Sequence, residues 1–364
     1  MPRKPMFIMA GGTGGHVYPA LAVADYLREC GVQLYWLGTR HGLEARVLPQ
    51  SGYPLLTISV AGLRRKGVLR WLSSPILILV AVVQALVLMF RHRPSIVLGM
   101  GGFVSGPGGV AAWLLRIPLL IHEQNAIAGL TNRLLAPFAR VIMQGFPGAF
   151  AGRHGVQTTG NPVRADIARL PPPEQRLAGR KGQPLRLLIL GGSQGARVLN
   201  ECVPAAARIL RNELHLEIWH QTGPRHLEET RKIYGDARVS GGEIKVEPYI
   251  DDMAAAYAWA DVVLCRAGAL TIAELSVVGV AAILVPYPFA VDDHQTANAR
   301  HLSKSGCAVL LPEAELDPEG LAALLRRTFS DRDRLLQIAG GCRQHGRPEA
   351  ARLVGEICLG AARA

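Results

Sequence analysis

The sequence predicts an α/β protein of two doubly wound halves, each a parallel sheet covered by helices on both faces. Short apolar, strand-like runs alternate with helical patterns along the whole chain, as they do in such folds. Each half opens with a strand that leads into a glycine-rich loop, and a stretch rich in proline and charge, 168–184, separates the halves. The length of 364 residues agrees with two domains.

The strands and helices follow from these runs. The predicted strands are 6–10, 33–37, 55–60, 95–99, 118–121 and 140–143 in the first half, and 186–190, 214–219, 261–264 and 282–285 in the second. The clearest helical patterns between them are 17–29, 103–115, 195–211 and 269–278. Open α/β sheets bind ligands at the carboxyl ends of their strands, so the loops at those ends are the predicted site.

Composition and net charge limit the classes of function and of binding partner that this chain can have. Hydrophobic residues make up 49% of the chain and charged residues 19%, which excludes a disordered protein. The six cysteines form no CxxC pair and predict reduced core thiols. Residues 1–160 carry fifteen Lys and Arg against four Asp and Glu, a net charge of +11, whereas 161–364 carries +1. The basic half suits an anionic membrane or substrate; nucleic acid is disfavoured, because no zinc finger or RNP-like sequence occurs.

Three glycine loops, 11–16, 99–109 and 191–196, each follow a predicted strand and precede a predicted helix. Glycine allows close approach to the main chain, and a loop at a helix start commonly receives phosphate. None of the three matches the dinucleotide pattern GxGxxG or the Walker A pattern. They therefore favour phosphate binding by a compound other than a typical dinucleotide.

Polar residues near other helix starts are candidates for ligand contacts. Ser193 lies in the third glycine loop, and Gln295 lies near another helix start. Glu274 follows CRAGALTIA and is either a helix-start residue without function or an acceptor for two ribose hydroxyls. Arg164, in TGNPVR, either binds a phosphate or carbonyl or is a surface residue at the domain boundary.

The stretch 75–90, PILILVAVVQALVLMF, has one polar side chain. As a helix it is about 24 Å long, shorter than a hydrocarbon core of about 30 Å. Three alternatives remain: a buried core helix, a helix that enters the membrane interface, and, least favoured, a membrane span. Basic and histidine side chains suited to anionic headgroups flank the stretch: Arg64, Arg65, Lys66 and Arg70 before it, and Arg91, His92 and Arg93 after it.

Seven motifs in order carry a family resemblance: GGTGGHVYPALAVA, GGFVSGPGG, HEQNAIAGLTNR, TGNPVR, LGGSQGARVLN, DDMAAAYAWAD and CRAGALTIAEL. From about residue 6 to 360 the chain resembles the MurG family of bacterial N-acetylglucosaminyltransferases. The resemblance implies the GT-B fold, two Rossmann-like domains facing a central cleft. It also implies an inverting enzyme that moves GlcNAc from UDP-GlcNAc to lipid I, undecaprenyl-diphospho-MurNAc-pentapeptide, and yields lipid II. That reaction belongs to peptidoglycan synthesis, and so to cell wall biogenesis, cell shape and division.

The resemblance further implies how the chain is divided and where it acts. Residues 1–163 are expected to bind the acceptor and the membrane, and 164–340 to bind UDP-GlcNAc. Residues 341–364 are expected to return to the first domain as a helix. The expected location is peripheral, at the cytoplasmic face of the inner membrane, with an anionic membrane surface as a partner. No cofactor and no metal are expected.

The site residues that the resemblance implies are carried over by motif. Those of the first half line the cleft near the acceptor: Thr13, Gly14, Gly15 and Asn125. The others are expected to hold the donor, with Ile250 acting through its backbone at the uracil edge: Arg164, Ser193, Ile250, Ala269, Leu270, Thr271, Ile272, Ala273, Glu274 and Gln295. Gln295 is aligned only through DDHQ, and Gly279-Val280-Ala281 lacks the proline usual in the family at this place.

An inverting transfer needs a base for the acceptor hydroxyl and stabilisation of the leaving UDP. His16 is the candidate base, because an imidazole titrates near neutral pH; alternatively it only ties its loop together, and Glu123 is the reserve base. No DxD pair stands where a metal would be needed, and the adjacent pairs 251–252 and 292–293 are predicted helix caps. Backbone N–H groups at a helix start are expected to stabilise the leaving charge.

Two rival functions remain on sequence grounds. An NAD(P)-dependent oxidoreductase also has doubly wound sheets, but the missing GxGxxG pattern counts against it. A non-catalytic, membrane-associated nucleotide-binding module is the other. UDP release that requires both UDP-GlcNAc and a lipid I analogue distinguishes the transferase from both.

Overall fold

A computed structural model describes residues 4–60, 74–235 and 242–363. The predicted basic flank Arg64, Arg65, Lys66 and Arg70 lies outside the described residues. The chain divides into two compact units, Met1–Arg164 with Arg347–Ala364, and Ala165–Gly346. Each unit is built on its own parallel sheet.

The first unit contains a seven-stranded parallel sheet in the order β3-β2-β1-β4-β5-β6-β7. Its strands are β1 (Met6–Met9), β2 (Leu34–Gly38), β3 (Leu55–Thr57), β4 (Ile96–Gly99), β5 (Leu119–Glu123), β6 (Val141–Gln144) and β7 (Val156–Thr158). The helices between them are α1 (Gly14–Glu29), α2 (Leu43–Ser51), α3 (Ser74–His92), α4 (Ser105–Leu114) and α5 (Leu130–Leu135), which continues as a 3₁₀ turn, Ala136–Phe138. Two apolar clusters cover the two faces of the sheet, as its buried strands require.

The second unit contains a six-stranded parallel sheet in the equivalent order, β10-β9-β8-β11-β12-β13. Its strands are β8 (Leu185–Leu190), β9 (Leu216–Gln221), β10 (Ile244–Glu247), β11 (Val262–Cys265), β12 (Ala281–Leu284) and β13 (Ala308–Leu310). Its helices are α6 (Ala165–Ala168), α7 (Pro173–Arg176), α8 (Arg197–Leu210), α9 (Leu227–Gly235), α10 (Met253–Trp259), α11 (Ala269–Val278), α12 (His294–Ser303), α13 (Pro318–Leu324) and α14 (Arg332–Gln344). Short helical turns occur at Val291–Asp293, Glu313–Glu315 and Leu325–Phe329. The predicted fold class, two doubly wound α/β halves, is confirmed.

The last helix, α15 (Ala350–Arg363), belongs to the first unit. It packs on α1, where a side chain at Gly355 would collide with the ring of Tyr26. The junction back to the first unit falls after Gly346, because α14 stays packed in the second unit.

The proline-rich stretch 168–184 lies inside the second unit and does not separate the units as predicted. Arg176 anchors it: its guanidinium donates to the carbonyl oxygens of Gly279 (2.6 Å) and Tyr257 (3.2 Å). These carbonyls lie at the ends of α11 and α10, so the stretch is attached to the helices that cover the second sheet.

Glycine loops at the carboxyl edge of each sheet pack backbone against backbone. In the first unit, a Cβ on Gly102, whose φ is +83°, would collide with the carbonyl oxygen of Gly11. In the second unit, a Cβ on Gly195, whose φ is +78°, would collide with the carbonyl oxygen of Thr222. Only glycine satisfies both the backbone conformation and the close approach.

Two glycines of one loop test this packing. Gly192 and Gly195 have nearly the same φ, +82° and +78°, but a Cβ on Gly192 would meet no atom within 4 Å. Gly192→Ala should cost only the left-handed strain, about 1–2 kcal/mol. Gly195→Ala should cost a further 1–3 kcal/mol, roughly the cost of overpacking, because a backbone carbonyl cannot move aside. Calorimetric melting of the full chain should therefore give a lower Tm for Gly195→Ala; equal Tm values for the two variants would contradict the contact.

Candidate functional site

The first glycine loop presents backbone N–H groups at the start of α1. The Gly12 N–H is already used, because it donates to Glu44 Oε2 at 3.1 Å. The N–H groups of Thr13, Gly14 and Gly15 have no acceptor among the residues that the structure describes. Thr13 is exposed and stands at the N-cap of α1. This helix start can therefore receive an anionic group.

Glu44 is a buried carboxylate that the sequence analysis missed. It accepts hydrogen bonds from the N–H of Thr39 (2.8 Å) and its hydroxyl (2.7 Å), besides that of Gly12. A Cβ on Gly38 or Gly42 would collide with it, so the absence of side chains there makes room for the carboxylate. Glu44 thus ties the loop after β1 to the loop after β2. Glu44 could have been noticed in the sequence, because it is one of only four acidic residues in 1–160.

His16 is half-buried in the first turn of α1, where three loops meet. Its ring Nδ1 lies 2.9 Å from Oε1 of Gln124, the first residue after β5. Gly101, after β4, has a φ of +94°, and a Cβ there would collide with the His16 ring. The loops after β1, β4 and β5 therefore hold this imidazole together.

His122 lies behind Gln124 and is completely buried. Its Nε2 is 3.0 Å from the carbonyl oxygen of Gly160 and 3.1 Å from Oγ1 of Thr159. Burial lowers the pKa of His122 to about 4, so the ring is neutral near neutral pH. Neither His122 nor Gln124 was selected from the sequence, although both belong to the HEQNA motif.

Glu123 is buried and fully hydrogen-bonded. One carboxylate oxygen accepts from the backbone N–H (3.0 Å) and side-chain amide (3.1 Å) of Asn125, and the other from the Gly129 N–H (3.0 Å) and the Asn132 amide (2.8 Å). These bonds fix the loop between β5 and α5. They indicate a structural role for Glu123 and orient Asn125, which is half-buried beside it.

Arg164 is the last residue of the first unit. Its guanidinium lies over the ring of Tyr18 on α1, 5.2 Å from the ring centroid. The side chain is half-buried. A residue that the resemblance assigns to the donor thus packs on the helix that follows the first glycine loop.

The third glycine loop exposes Gly192, Ser193 and Gln194. In the part of the chain that the structure describes, their N–H groups have no acceptor. The helix that follows, α8, begins at Arg197, two residues later than predicted. The loop therefore precedes the positive end of α8 with N–H groups that an anion can use.

Helix α11 carries the largest group of predicted donor residues. It begins directly after Gly268, and Glu274 lies five residues into it, 6% exposed. Glu274 Oε2 accepts the hydroxyl of the buried Tyr257 at 2.9 Å. Ala269 and Ile272 are also buried, whereas the other three are half-buried: Leu270, Thr271 and Ala273. Ile250 follows β10 and is 2% exposed.

Gln295 is the second residue of α12, at the end of the loop that follows β12, and the predicted acidic caps lie before α10 and α12. Gln295 Oε1 accepts the N–H of Tyr287 at 2.9 Å and so closes the loop. Asp252 caps α10 through the Ala255 N–H (2.8 Å), as predicted. Asp293 also occupies the predicted N-cap position of α12, but it is left-handed, and its side chain accepts from the Thr296 hydroxyl (2.6 Å) and not from the helix backbone.

Helix α3 is exposed on most of its surface, so the buried-core alternative for 75–90 is wrong. It packs on α4 and buries only a narrow face, Ala81, Val82, Ala85 and Met89. The segment Pro75–His92 is long and apolar enough to cross a membrane by length and composition, with a mean hydropathy of 2.0, and 22% of it is buried. Its exposed large side chains are Ile76, Leu77, Ile78, Leu79, Val80, Val83, Val87 and Phe90.

The exposed apolar surface continues beyond α3. Trp113 and Leu114 on α4 are exposed, as are Leu134 and Phe138 after it, and the rings of Trp113 and Phe138 lie 5.1 Å apart. We call these residues and the exposed side chains of α3 the apolar face. Exposed arginines adjoin it in the sequence: Arg91, Arg93, Arg116 and Arg140. Exposed apolar surface of this extent marks an interaction site.

Comparisons with known proteins show which family the chain belongs to. The glycosyltransferase family 28 N-terminal domain matches residues 6–144, and the C-terminal domain of the same family matches residues 186–353. The chain is 54% identical over 354 residues to the UDP-N-acetylglucosamine–N-acetylmuramyl-(pentapeptide) pyrophosphoryl-undecaprenol N-acetylglucosamine transferase of Nitrosococcus oceani, covering 97% of this chain and 98% of the relative. It is 54% identical to the enzyme of the same name from Alkalilimnicola ehrlichii, covering 99% of each chain.

A solved structure supports the same assignment over both units. The crystal structure of Acinetobacter baumannii MurG matches with a TM-score of 0.83 and 43% identity, covering 98% of this chain and 99% of that one. This match covers both Rossmann-like units and shows the GT-B fold. The chain belongs to the MurG family within glycosyltransferase family 28.

Proposed function

We propose that this protein transfers N-acetylglucosamine from UDP-GlcNAc to the N-acetylmuramyl sugar of lipid I and so forms lipid II for peptidoglycan. The observation that carries the proposal is the 54% identity to transferases of this name over 97% or more of the chain. The loops at the carboxyl edges of the two sheets supply what such a reaction needs: N–H groups for diphosphates and an imidazole.

The proposed transfer is a single displacement with inversion. The acceptor hydroxyl loses its proton to His16 while its oxygen attacks the anomeric carbon of GlcNAc. The bond from that carbon to the β-phosphate oxygen of UDP breaks, and UDP leaves with the electron pair. We assign the base to His16 because both oxygens of Glu123 already accept two hydrogen bonds each.

The donor is proposed to bind the second unit. The N–H groups of the loop 191–196 would hold the UDP diphosphate and stabilise its leaving charge, since preorganised N–H dipoles need no rearrangement. Glu274 would accept the ribose hydroxyls, and Ile250 would pair with the uracil edge through its backbone. Ser193, Gln295 and the exposed edge of α11 would complete the donor contacts.

The acceptor is proposed to bind the first unit. The N–H groups of Thr13, Gly14 and Gly15 at the start of α1 would receive the lipid diphosphate. Asn125 would contact the acceptor from the loop after β5, where Glu123 orients it. Arg164, stacked over Tyr18 in this unit, keeps the donor role that the resemblance implies and would contribute a positive charge for UDP-GlcNAc.

We propose that the apolar face enters the cytoplasmic surface of the inner membrane as a peripheral contact. Its side chains are apolar, exposed and adjoined by arginines, the combination that binds an anionic bilayer interface. An acceptor with an undecaprenyl chain stays in the membrane, so this face would bring the first glycine loop to its substrate.

The first expected outcome concerns turnover. The wild-type protein should release UDP only when UDP-GlcNAc and a lipid I analogue are both present. His16→Ala should lower kcat by about 10²–10⁴, the usual contribution of a positioned proton acceptor. The dissociation constant of UDP-GlcNAc should hardly change, because His16 lies in the unit that is not proposed to hold the nucleotide. Coupled UDP release and calorimetry measure the two quantities.

The matched control is His154→Ala, which removes an exposed histidine of the first unit that does not belong to its glycine loops. This variant should keep wild-type kcat. Near-normal kcat of His16→Ala at saturating acceptor would exclude the base role. UDP release without the acceptor analogue, or binding of NAD(P)H in place of UDP-GlcNAc, would contradict the proposed reaction.

Glu274→Ala should weaken UDP-GlcNAc binding by about 1–3 kcal/mol, the range for a hydrogen bond to a charged group. The Kd measured by calorimetry should rise by about 5- to 150-fold. Tyr257→Phe is the control, since it removes the hydroxyl that Glu274 accepts but leaves the carboxylate in place. If Glu274→Ala binds UDP as the wild type does, Glu274 does not contact the ribose.

The apolar face can be tested by sedimentation with vesicles. Leu79 is 63% exposed, and Leu79→Glu should lower binding to phosphatidylglycerol vesicles about tenfold or more, because insertion of a leucine contributes about 1.5–3 kcal/mol. Ile209→Glu, which changes an exposed aliphatic residue of the second unit, should bind as the wild type does.

Salt should weaken the wild-type binding, since surface charges are screened over about 8 Å at physiological ionic strength. Equal binding to neutral and anionic vesicles would show that electrostatic attraction does not contribute to the binding. If alkaline carbonate does not extract the membrane-bound protein, the contact is a membrane span and not a peripheral one.

A further inference from the structure

A chain of hydrogen bonds connects the backbone of the first unit to the ring of His16. It begins at the Gly160 carbonyl oxygen, 3.0 Å from His122 Nε2. It continues from His122 Nδ1 to Gln124 Nε2 at 3.1 Å, and from Gln124 Oε1 to His16 Nδ1 at 2.9 Å. His122 and Gln124 are buried, and His16 is half-buried at the end of the chain.

The direction of every bond follows from the carbonyl at the start. A carbonyl oxygen only accepts, and the nearby Thr159 hydroxyl donates its own hydrogen to the Gly160 carbonyl (3.0 Å), so His122 Nε2 carries a hydrogen and donates to Gly160. The buried ring is neutral, because burial lowers the pKa of His122 to about 4. A neutral imidazole carries one proton, so His122 Nδ1 has a lone pair and accepts from the Gln124 amide nitrogen.

A second carbonyl gives Gln124 the same orientation independently. Gln124 Nε2 also lies 3.2 Å from the backbone oxygen of His122, which again only accepts. The amide group facing both acceptors must therefore be the NH₂, and the amide oxygen is left to face His16. That oxygen accepts from His16 Nδ1–H, so His16 carries its proton on Nδ1 and has a lone pair on Nε2.

We propose that Gln124 is a positioning residue for the transfer: its amide oxygen holds the proton of His16 on Nδ1, so that Nε2 is the atom that takes the acceptor's proton. This inference rests on the proposed function of His16 as the base. His122 acts one step further back, because it prevents the Gln124 amide from turning over.

The arrangement suits a base that must react without rearrangement. When Nε2 takes the proton, Nδ1–H stays bonded to the Gln124 oxygen, whose partial negative charge stabilises the imidazolium. Gly101 restrains the ring further, because its backbone lies against His16 where any side chain would collide with it. With the opposite tautomer, Nε2 would already carry a hydrogen and could not accept one.

Nitrogen NMR of the wild-type protein tests the tautomer directly. The full chain, labelled with ¹⁵N-histidine, is measured near neutral pH, and His16→Asn assigns the His16 signals by their loss. We expect a protonated Nδ1 and an unprotonated Nε2 for His16. A protonated Nε2 on a neutral ring would overturn the proposal, whatever the activity of the enzyme.

Gln124→Met tests the consequence, because methionine has a similar length but no amide oxygen. We expect kcat to fall about 10- to 100-fold, as when other partners that orient a functional histidine are removed. The KM for UDP-GlcNAc should not change, and the Nδ1–H tautomer of His16 should no longer dominate the spectrum. A folded Gln124→Met protein with wild-type kcat and tautomer would overturn the proposal.

The matched control is Gln144→Met. Gln144 is a buried glutamine on the neighbouring strand β6, and its amide donates to Thr158 Oγ1 at 2.9 Å. This variant loses a buried side-chain amide that bonds to none of His122, Gln124 and His16, so kcat and the His16 tautomer should stay as in the wild type.

The two proposals fail in different ways. If His16→Ala keeps the wild-type kcat, His16 is not the base, and Gln124 has no base to position. A protonated His16 Nε2 in an active wild-type enzyme would remove only the role of Gln124 and leave the transferase reaction standing. The wild-type spectrum decides the tautomer even if a Gln124 variant does not fold.

Discussion

Close backbone-to-backbone packing at the carboxyl edges of the two sheets is the constraint on which both candidate sites depend. Gly102 lies against the carbonyl of Gly11, and Gly195 against that of Thr222, in conformations that a side chain would block. This packing brings the loops of adjacent strands together and fixes the starts of α1 and α8. The N–H groups at the start of α1 and in the loop before α8 are those that we propose for the diphosphates.

Each unit adds a buried histidine that orders the loops behind its site. In the first unit, His122 bonds to Gly160 and directs Gln124 toward His16. In the second unit, His220 lies 3.0 Å from Asn200 Oδ1, and the Asn200 amide donates to the Thr222 carbonyl at 3.0 Å. The pKa of His220 is lowered to about 3 by burial. In both units a backbone carbonyl oxygen, which can only accept, sets the direction of these hydrogen bonds. Of the two series, that of the first unit ends on a half-buried imidazole, the ring of His16.

The charge asymmetry and the apolar face belong to the same unit. The first 160 residues hold nearly all of the excess positive charge, and α3 exposes its apolar side chains there. An anionic acceptor held in an anionic membrane suits both properties, whereas a soluble nucleotide sugar, although anionic too, has no use for an apolar face. The division of charge along the chain therefore agrees with the proposed division of substrates between the units.

Local sequence determined the fold class, the glycine loops and the edge of each sheet where the site lies. Apolar runs and glycine clusters are properties of neighbouring residues, so they can be read without the fold. Three short edge strands were missed: β7 and β10 contain polar residues that interrupt an apolar run, whereas β13 was missed although it lies in the apolar run 307–311. Contacts between distant residues were decided only by tertiary structure: His16 and Gln124 are 108 positions apart, and Gly12 and Glu44 are 32. Tertiary structure also decided which side of α3 is exposed. The apolar character of this helix can be read from its sequence, but its uncovered side depends on which helix packs against it.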